Sequence, residues 1–166
     1  MKIILEKWKT EEYKEFFLLS NDKEMWENMS DDFPKTLEEC KQVVCFFSAS
    51  EDITEYVRAI KIDGRIVGCI AAFFETGMYC KNAEIAYWLN REYRGKNIMT
   101  QVIEMFTQNL FTKFDIHRIW ARPFESNRAS QRVLEKAGFI YEGLLMENVF
   151  KNNQYINSKV YALVKK

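Results

Sequence analysis

The chain has 166 residues, 48% of them hydrophobic and 15% aromatic, with 24 basic and 24 acidic side chains and a formal net charge of +0. That length buries one sizeable core within residues 1–166 and demands no second domain, while balanced charge gives no global field to hold nucleic acid or an anionic membrane. Cys40, Cys45, Cys69 and Cys80 form no CxxC pair, a lone histidine excludes the usual Cys/His zinc sets, no apolar run spans a membrane, and early charge in Met-Lys-Ile-Ile-Leu-Glu-Lys-Trp excludes a signal peptide, so reduced thiols in a cytoplasmic, metal-free protein are expected.

Residues 2 to 8 alternate loosely and predict an edge strand. Thr10, followed by Glu11 and Glu12, predicts a capped helix start with Tyr13, Phe16, Phe17 and Leu18 on its apolar side. A short helical piece around Met25 to Met29 ends at Asp31-Asp32-Phe33-Pro34, because proline disfavours helical geometry in the residue before it. Thr36 and Glu39 have capping-box spacing, and Leu37, Cys40, Val43, Val44 and Phe47 continue at helical intervals.

From Glu55 the period changes. Tyr56 to Ile62 and Arg65 to Phe74 are rich in β-formers and flank Asp63-Gly64, a strong hairpin signal. Glu84 to Leu89 reads as the next strand. Beyond the turn Arg94-Gly95-Lys96-Asn97, Ile98, Val102, Phe106 and Leu110 stand four apart with Met99 and Ile103 beside them, so a helix runs to near Lys113 with Asn97 as its N-cap. Ile116 to Ala121 is a further strand, completing β-α-β with parallel neighbours. Ser126 is expected to cap a helix lined by Ala129, Val133 and Ala137 and stopped by Gly138; Phe139 to Phe150 and Tyr155 to Val164 form a closing hairpin around Lys151-Asn152-Asn153-Gln154. The sum is an α/β fold of α+β type: a mixed, mostly antiparallel sheet of about seven strands with a central parallel β-α-β and flanking helices.

The turn at Arg94 to Asn97 aims unpaired N–H groups and the positive end of a helix dipole at whatever lies outside it, and phosphate suits that position. The run Arg94-Gly95-Lys96-Asn97-Ile98-Met99-Thr100 resembles the acetyl-CoA pyrophosphate loop of the GNAT superfamily of N-acetyltransferases, whose pattern Q/R-x-x-G-x-G/A would occupy Glu92 to Asn97. Ala83 to Leu89 resembles that family's fourth strand. Asn127-Arg-Ala-Ser130 through Leu134-Glu-Lys-Ala-Gly-Phe139 resembles its next conserved block. His117-Arg-Ile-Trp-Ala and Phe33-Pro34 with Thr36 are similar to the branch of ribosomal-protein N-terminal (alanine/serine) acetyltransferases. Glu92 departs from the preferred Gln or Arg, and Asn97 from the small residue that lets backbone approach a diphosphate.

The resemblance implies direct attack of a neutral amine on the acetyl thioester. It places the diphosphate on the N–H groups of Arg94, Gly95, Lys96, Asn97, Ile98, Met99 and Thr100, with the Arg94 and Lys96 side chains as nearby cations or as ordinary solvated charge. By strand alternation Glu84, Ala86 and Trp88 share one face. Glu84 is the candidate base, acting through water, or else a cross-strand salt-bridge partner. The oxyanion falls to backbone N–H groups of Tyr87, Trp88 and Leu89, where paired strands separate. Asn127 is implied to contact the CoA arm and Ser130 to protonate the departing thiolate, or to be a surface polar residue; Leu134 stands where many relatives carry a tyrosine. Trp26, Phe33 and Tyr13 are candidate acceptor walls or core aromatics, and His117 reads as structural.

An α-amino group has a pKa of about 7.7–8.0 and lysine about 10.4, so a site without a strong base suits a peptide N-terminus. The expected function is acetyl-CoA-dependent N-acetylation of a protein or peptide N-terminus. A small amine (polyamine, amino acid or antibiotic) is the alternative within the chemistry, with Asp31, Asp32, Glu38 and Glu39 as an acidic groove. A non-catalytic CoA sensor or interaction module, including a homodimer, is the alternative outside it.

Overall fold

Two pairs of left-handed residues bend the chain into its hairpins. Asp63 (φ 48°) and Gly64 (φ 83°) join β2 (Glu55–Ile62) to β3 (Arg65–Phe74), and Asn152 (φ 52°) and Asn153 (φ 57°) join β6 (Ile140–Lys151) to β7 (Gln154–Val164). Positive φ at both central residues gives turns whose twist matches that of the strands, which is why Asp-Gly and Asn-Asn stand there. The computed structural model describes residues 2–166. Its remaining elements are β1 (Ile3–Glu6), α1 (Tyr13–Ser20), α2 (Lys23–Glu27), α3 (Leu37–Ala49), β4 (Asn82–Leu89), α4 (Ile98–Lys113), β5 (Arg118–Ala121) and α5 (Arg128–Lys136). The seven strands run in the order β1-β2-β3-β4-β5-β7-β6. β4 and β5 are parallel, whereas β1–β2, β2–β3, β5–β7 and β6–β7 are antiparallel. This is the mixed, mostly antiparallel sheet expected from the sequence.

The described residues cluster into two compact units, one holding the chain up to Phe73 with Ala86–Ile98, the other Phe74–Ile85 with Met99–Lys166. In the first unit Trp8, Phe16, Met25, Cys40, Val44, Val57, Ala59, Cys69, Ala71 and Trp88 form one buried cluster. Trp8 and Trp88 each lie 5.2 Å from the Phe16 ring, Trp88 edge-on. β2 is buried along its whole length, so its cations need partners: Lys61 donates to Glu6 and Glu12 at 2.8 Å each, and Arg58 pairs with Asp52 at 2.5 Å. The β2–β3 register shifts between Ile60 and Lys61, which face Gly68 and Ile66, leaving Val67 as an extra residue. Val67 turns its carbonyl to the Asn90 N–H at 2.8 Å, so the bulge ties down the segment that follows β4.

In the second unit α4 buries the predicted stripe, Met99 first and then Val102, Ile103, Phe106 and Leu110 at 0% exposure; Ile98, the first residue of α4, is buried and falls in the first unit. Phe74 and Phe114 meet at 4.8 Å, and Ile119, Leu134, Phe139 and Tyr161 are buried.

Four local expectations are corrected. The N-terminal cap is Lys9, whose N–H donates to Glu12 at 2.9 Å ahead of a 3-10 turn over Thr10–Glu12; Thr10 lies inside that turn. Leu18 is 72% exposed, while Phe16 and Ser20 are the residues of α1 that are buried. The cap of α5 is Asn127 and not Ser126, because the Asn127 side chain reaches the Ser130 N–H at 3.1 Å. Finally, α5 buries Gln131 and Leu134 and leaves Ala129 exposed. A glutamine can replace the alanine stripe because its amide donates to the Phe124 and Glu125 carbonyls, at 3.2 and 2.8 Å.

Candidate active site

The turn after β4 is built by alternating backbone handedness. Arg94 is extended (φ −72°, ψ 159°), Gly95 is left-handed (φ 74°), Lys96 has no positive φ, and Asn97 is left-handed again (φ 58°) before α4 begins at Ile98. Such alternation swings successive N–H groups toward one side, and the first four N–H groups of a helix have no partner within it. Asn97 thus occupies the position before α4 in a left-handed conformation, whereas a side-chain N-cap usually has extended backbone. Asparagine is among the few non-glycine residues that adopt it readily, which accounts for its presence where a small residue is usual. A Cβ on Gly95 would meet nothing within 4 Å, so backbone angle and not crowding selects glycine there. Ile98, Met99 and Thr100 are buried, at 1%, 7% and 5% exposure, so their side chains serve packing at the head of α4.

Arg94 itself is committed elsewhere. Its Nε donates to the Leu89 carbonyl at 3.0 Å, and its terminal nitrogens lie 3.2 Å from Asp22 and 3.4 Å from Glu24. Lys96, with its ammonium 5.7 Å from the Tyr93 ring centre, is the exposed cation of the turn. Trp88 and Leu89 are 7% exposed, with Trp88 in the aromatic cluster, and Tyr87 is half-buried. The parallel β4–β5 ladder pairs Asn82, Ala83 and Glu84 with Arg118, Ile119 and Trp120.

Glu84 is half-buried on β4, with Arg122 3.6 Å from its carboxylate. Burial raises its pKa, opposed by the Arg122 cation and aided by the Glu75 carboxylate. Glu75 accepts the Trp120 indole N–H at 2.6 Å, and the Arg122 guanidinium stands 5.3 Å from the same ring. Glu75, Trp120 and Arg122 bear on Glu84, and nothing in the sequence marks them as its neighbours, although Trp120 falls in the His117-Arg-Ile-Trp-Ala run; the parallel register of Glu84 with Trp120 brings them there. On α5, Asn127 spends one oxygen on its cap, leaving the amide nitrogen for a ligand, and Ser130 is half-buried one turn along. Leu134 is fully buried, so that position contributes packing. Phe33 stacks 6.2 Å from Phe16 and, with Tyr13, packs against the core cluster, while half-buried Trp26 donates to the Ser20 carbonyl at 2.9 Å. Exposed His117 is held through its backbone by Lys81 and Lys165.

Residues 2–140 match the Acetyltransferase (GNAT) domain family. The chain belongs to that family. Among its relatives are the probable N-acetyltransferase YjcK of Bacillus subtilis, 34% identical over 102 residues (61% of this chain, 56% of that protein), and the ribosomal-protein-serine acetyltransferase of Escherichia coli, 30% identical over 84 residues (51% and 48%). The spermidine N(1)-acetyltransferase of Escherichia coli is 26% identical over 107 residues (64% and 57%). The matched stretches thus span about half the length of these curated relatives. The same fold occurs in the Salmonella typhimurium acetyl transferase that modifies the N-terminal serine of ribosomal protein L7/L12, with a TM-score of 0.88 at 21% identity over 100% of this chain and 96% of that one. As a GNAT domain the chain has residues that fit a diphosphate, since the paired left-handed positions 95 and 97 give its glycine-loop turn. Among the described residues all four cysteines are free, no cluster suits a metal ion, and no helix is long and apolar enough to cross a membrane.

Proposed function

We propose that residues 1–166 act as one acetyl-CoA-dependent N-acetyltransferase domain whose acceptor is a protein or peptide N-terminal α-amino group. The observation that carries the cofactor reading is the alternating backbone of Arg94 to Asn97 at the head of α4, which suits a diphosphate. Bound acetyl-CoA supplies the activated acyl group. Glu84 takes the proton lost by the attacking amine through an intervening water; its raised pKa brings it closer to the amine it serves. N–H groups from Tyr87 to Leu89 hold the oxyanion, and the Ser130 hydroxyl passes a proton to the leaving sulfur while Asn127 steadies the CoA arm.

The relatives support two acceptors. A ribosomal-protein-serine acetyltransferase among them supports the N-terminal amine, and a carboxylate base suits an amine already partly neutral. The spermidine acetyltransferase supports a polyamine, for which Asp31, Asp32 and Glu38 are exposed. Glu39 is less suited to that groove, since its carboxylate accepts the Lys35 and Thr36 N–H groups at 2.8 and 3.0 Å. Thiol release from acetyl-CoA across a panel of N-terminal peptides, spermidine and amino acids decides between them. Turnover of spermidine without any peptide overturns the first choice, and CoA binding without turnover of any amine makes the domain a sensor.

A further inference from the structure

Arg94 lies in the diphosphate turn, yet its guanidinium serves a different element. It touches three oxygens: the Leu89 carbonyl at the end of β4, Asp22 at the cap of α2, and Glu24 in the first turn of α2. Asp22 works in two directions, since one carboxylate oxygen caps α2 through the Glu24 N–H at 3.0 Å while the other faces Arg94. Among the residues of α2 only Met25 is buried, and a helix of five residues has too few internal hydrogen bonds to hold itself. The ionic strap is therefore one of the contacts that hold α2, beside Met25 in the core and the Trp26 indole on the Ser20 carbonyl. Its backbone end is rigid as well, because the Arg94 N–H donates to the Arg91 carbonyl at 3.2 Å and the bulge at Val67 holds Asn90.

We propose that Arg94 is a positioning residue that straps α2 to the Arg94–Asn97 turn, so that filling the turn with a diphosphate steadies α2. This rests on the reading of the turn as a diphosphate cradle. The side chain reaches back to α2 while the main chain of the same residue, its N–H held by the Arg91 carbonyl, leads directly into Gly95–Asn97, so backbone and guanidinium of one residue join two elements. By linkage, whatever α2 gains from an occupied turn, the ligand gains from an ordered α2.

Hydrogen exchange with CoA as the probe tests it. In the wild type, saturating CoA slows exchange in residues 94–100 and, through the strap, in residues 23–29 by about threefold or more, the scale of a pair of partly exposed ion pairs. Asp22→Asn keeps a capping oxygen but loses its charge, and Glu24→Gln loses the second carboxylate. The double variant is expected to bind CoA within about threefold of the wild-type Kd and to keep the protection of 94–100 while losing that of 23–29. Protection of the turn without protection of α2, or faster exchange in α2 on CoA binding, overturns the strap. No protection of 94–100 in the wild type overturns the cradle, and the proposal with it.

Discussion

The Arg122 guanidinium stands 3.6 Å from the Glu84 carboxylate, close enough to pull its pKa down but too far for a hydrogen bond, and burial outweighs it so that the carboxyl titrates above its ordinary value. Glu75 pushes the same way as burial. A base has to be ionised to act, so kcat/KM falls as pH drops through this raised value, and the acid limb lies above the range of an exposed glutamate.

Charge changes around Glu84 therefore move that limb in opposite directions. Arg122→Gln shifts it to higher pH and Glu75→Gln to lower pH, while Glu84→Gln lowers kcat by about 10²- to 10⁴-fold. Rate profiles from pH 5 to 9 on each variant check this. Equal shifts of one sign would assign the limb to another group.

Asn97 is held at φ 58°, so its replacement is judged by backbone preference. Asn97→Gly is expected to bind CoA at least as tightly as the wild type, and Asn97→Val to lose about 1–2 kcal/mol because a β-branched residue resists the left-handed region. Calorimetric titration with CoA and melting curves compare them. Better binding by the valine variant would remove the conformational explanation.

Gly68 is required by crowding. A Cβ there would sit inside van der Waals contact with the Trp88 carbonyl oxygen and 3.2 Å from Leu89 Cα, and backbone gives way less easily than a side chain. Gly68→Ala is expected to cost about 1–3 kcal/mol and to displace Trp88 and Leu89, lowering kcat as well as the melting temperature. A variant with wild-type melting and rate would show that β4 shifts freely.

Glu39 carries a pH signature of stability. Its pKa is lowered, first by the Lys35 N–H and then by the Thr36 N–H and hydroxyl. A carboxylate whose folded pKa is depressed stabilises the fold above its unfolded pKa, and that contribution is lost as pH falls through the folded value. Glu39→Gln therefore melts below the wild type at pH 7, and the two converge on acidification toward pH 3. Parallel curves across that range would leave the capping charge without effect.

What the sequence by itself determined were the features set by local chemistry. Asp63-Gly64 and Asn152-Asn153 place two hairpins, Thr36 and Glu39 cap α3 as spaced, and the four-residue stripe of α4 is buried along its length, because turns, caps and amphipathic faces depend on neighbours a few residues away. Gly95 and Asn97 marked the turn for the same reason. Tertiary structure alone decided the side-chain partners. Arg94 reads as a phosphate cation until α2 brings Asp22 and Glu24 to it from 72 and 70 residues away, and Ala129 reads as the buried side of α5 until Gln131 finds two carbonyls to satisfy it. Glu75 and Arg122 bear on Glu84 only once β4 and β5 lie in register. Charged and polar side chains are placed by whatever oxygen or nitrogen the folded chain brings within reach, and no local periodicity encodes that distance.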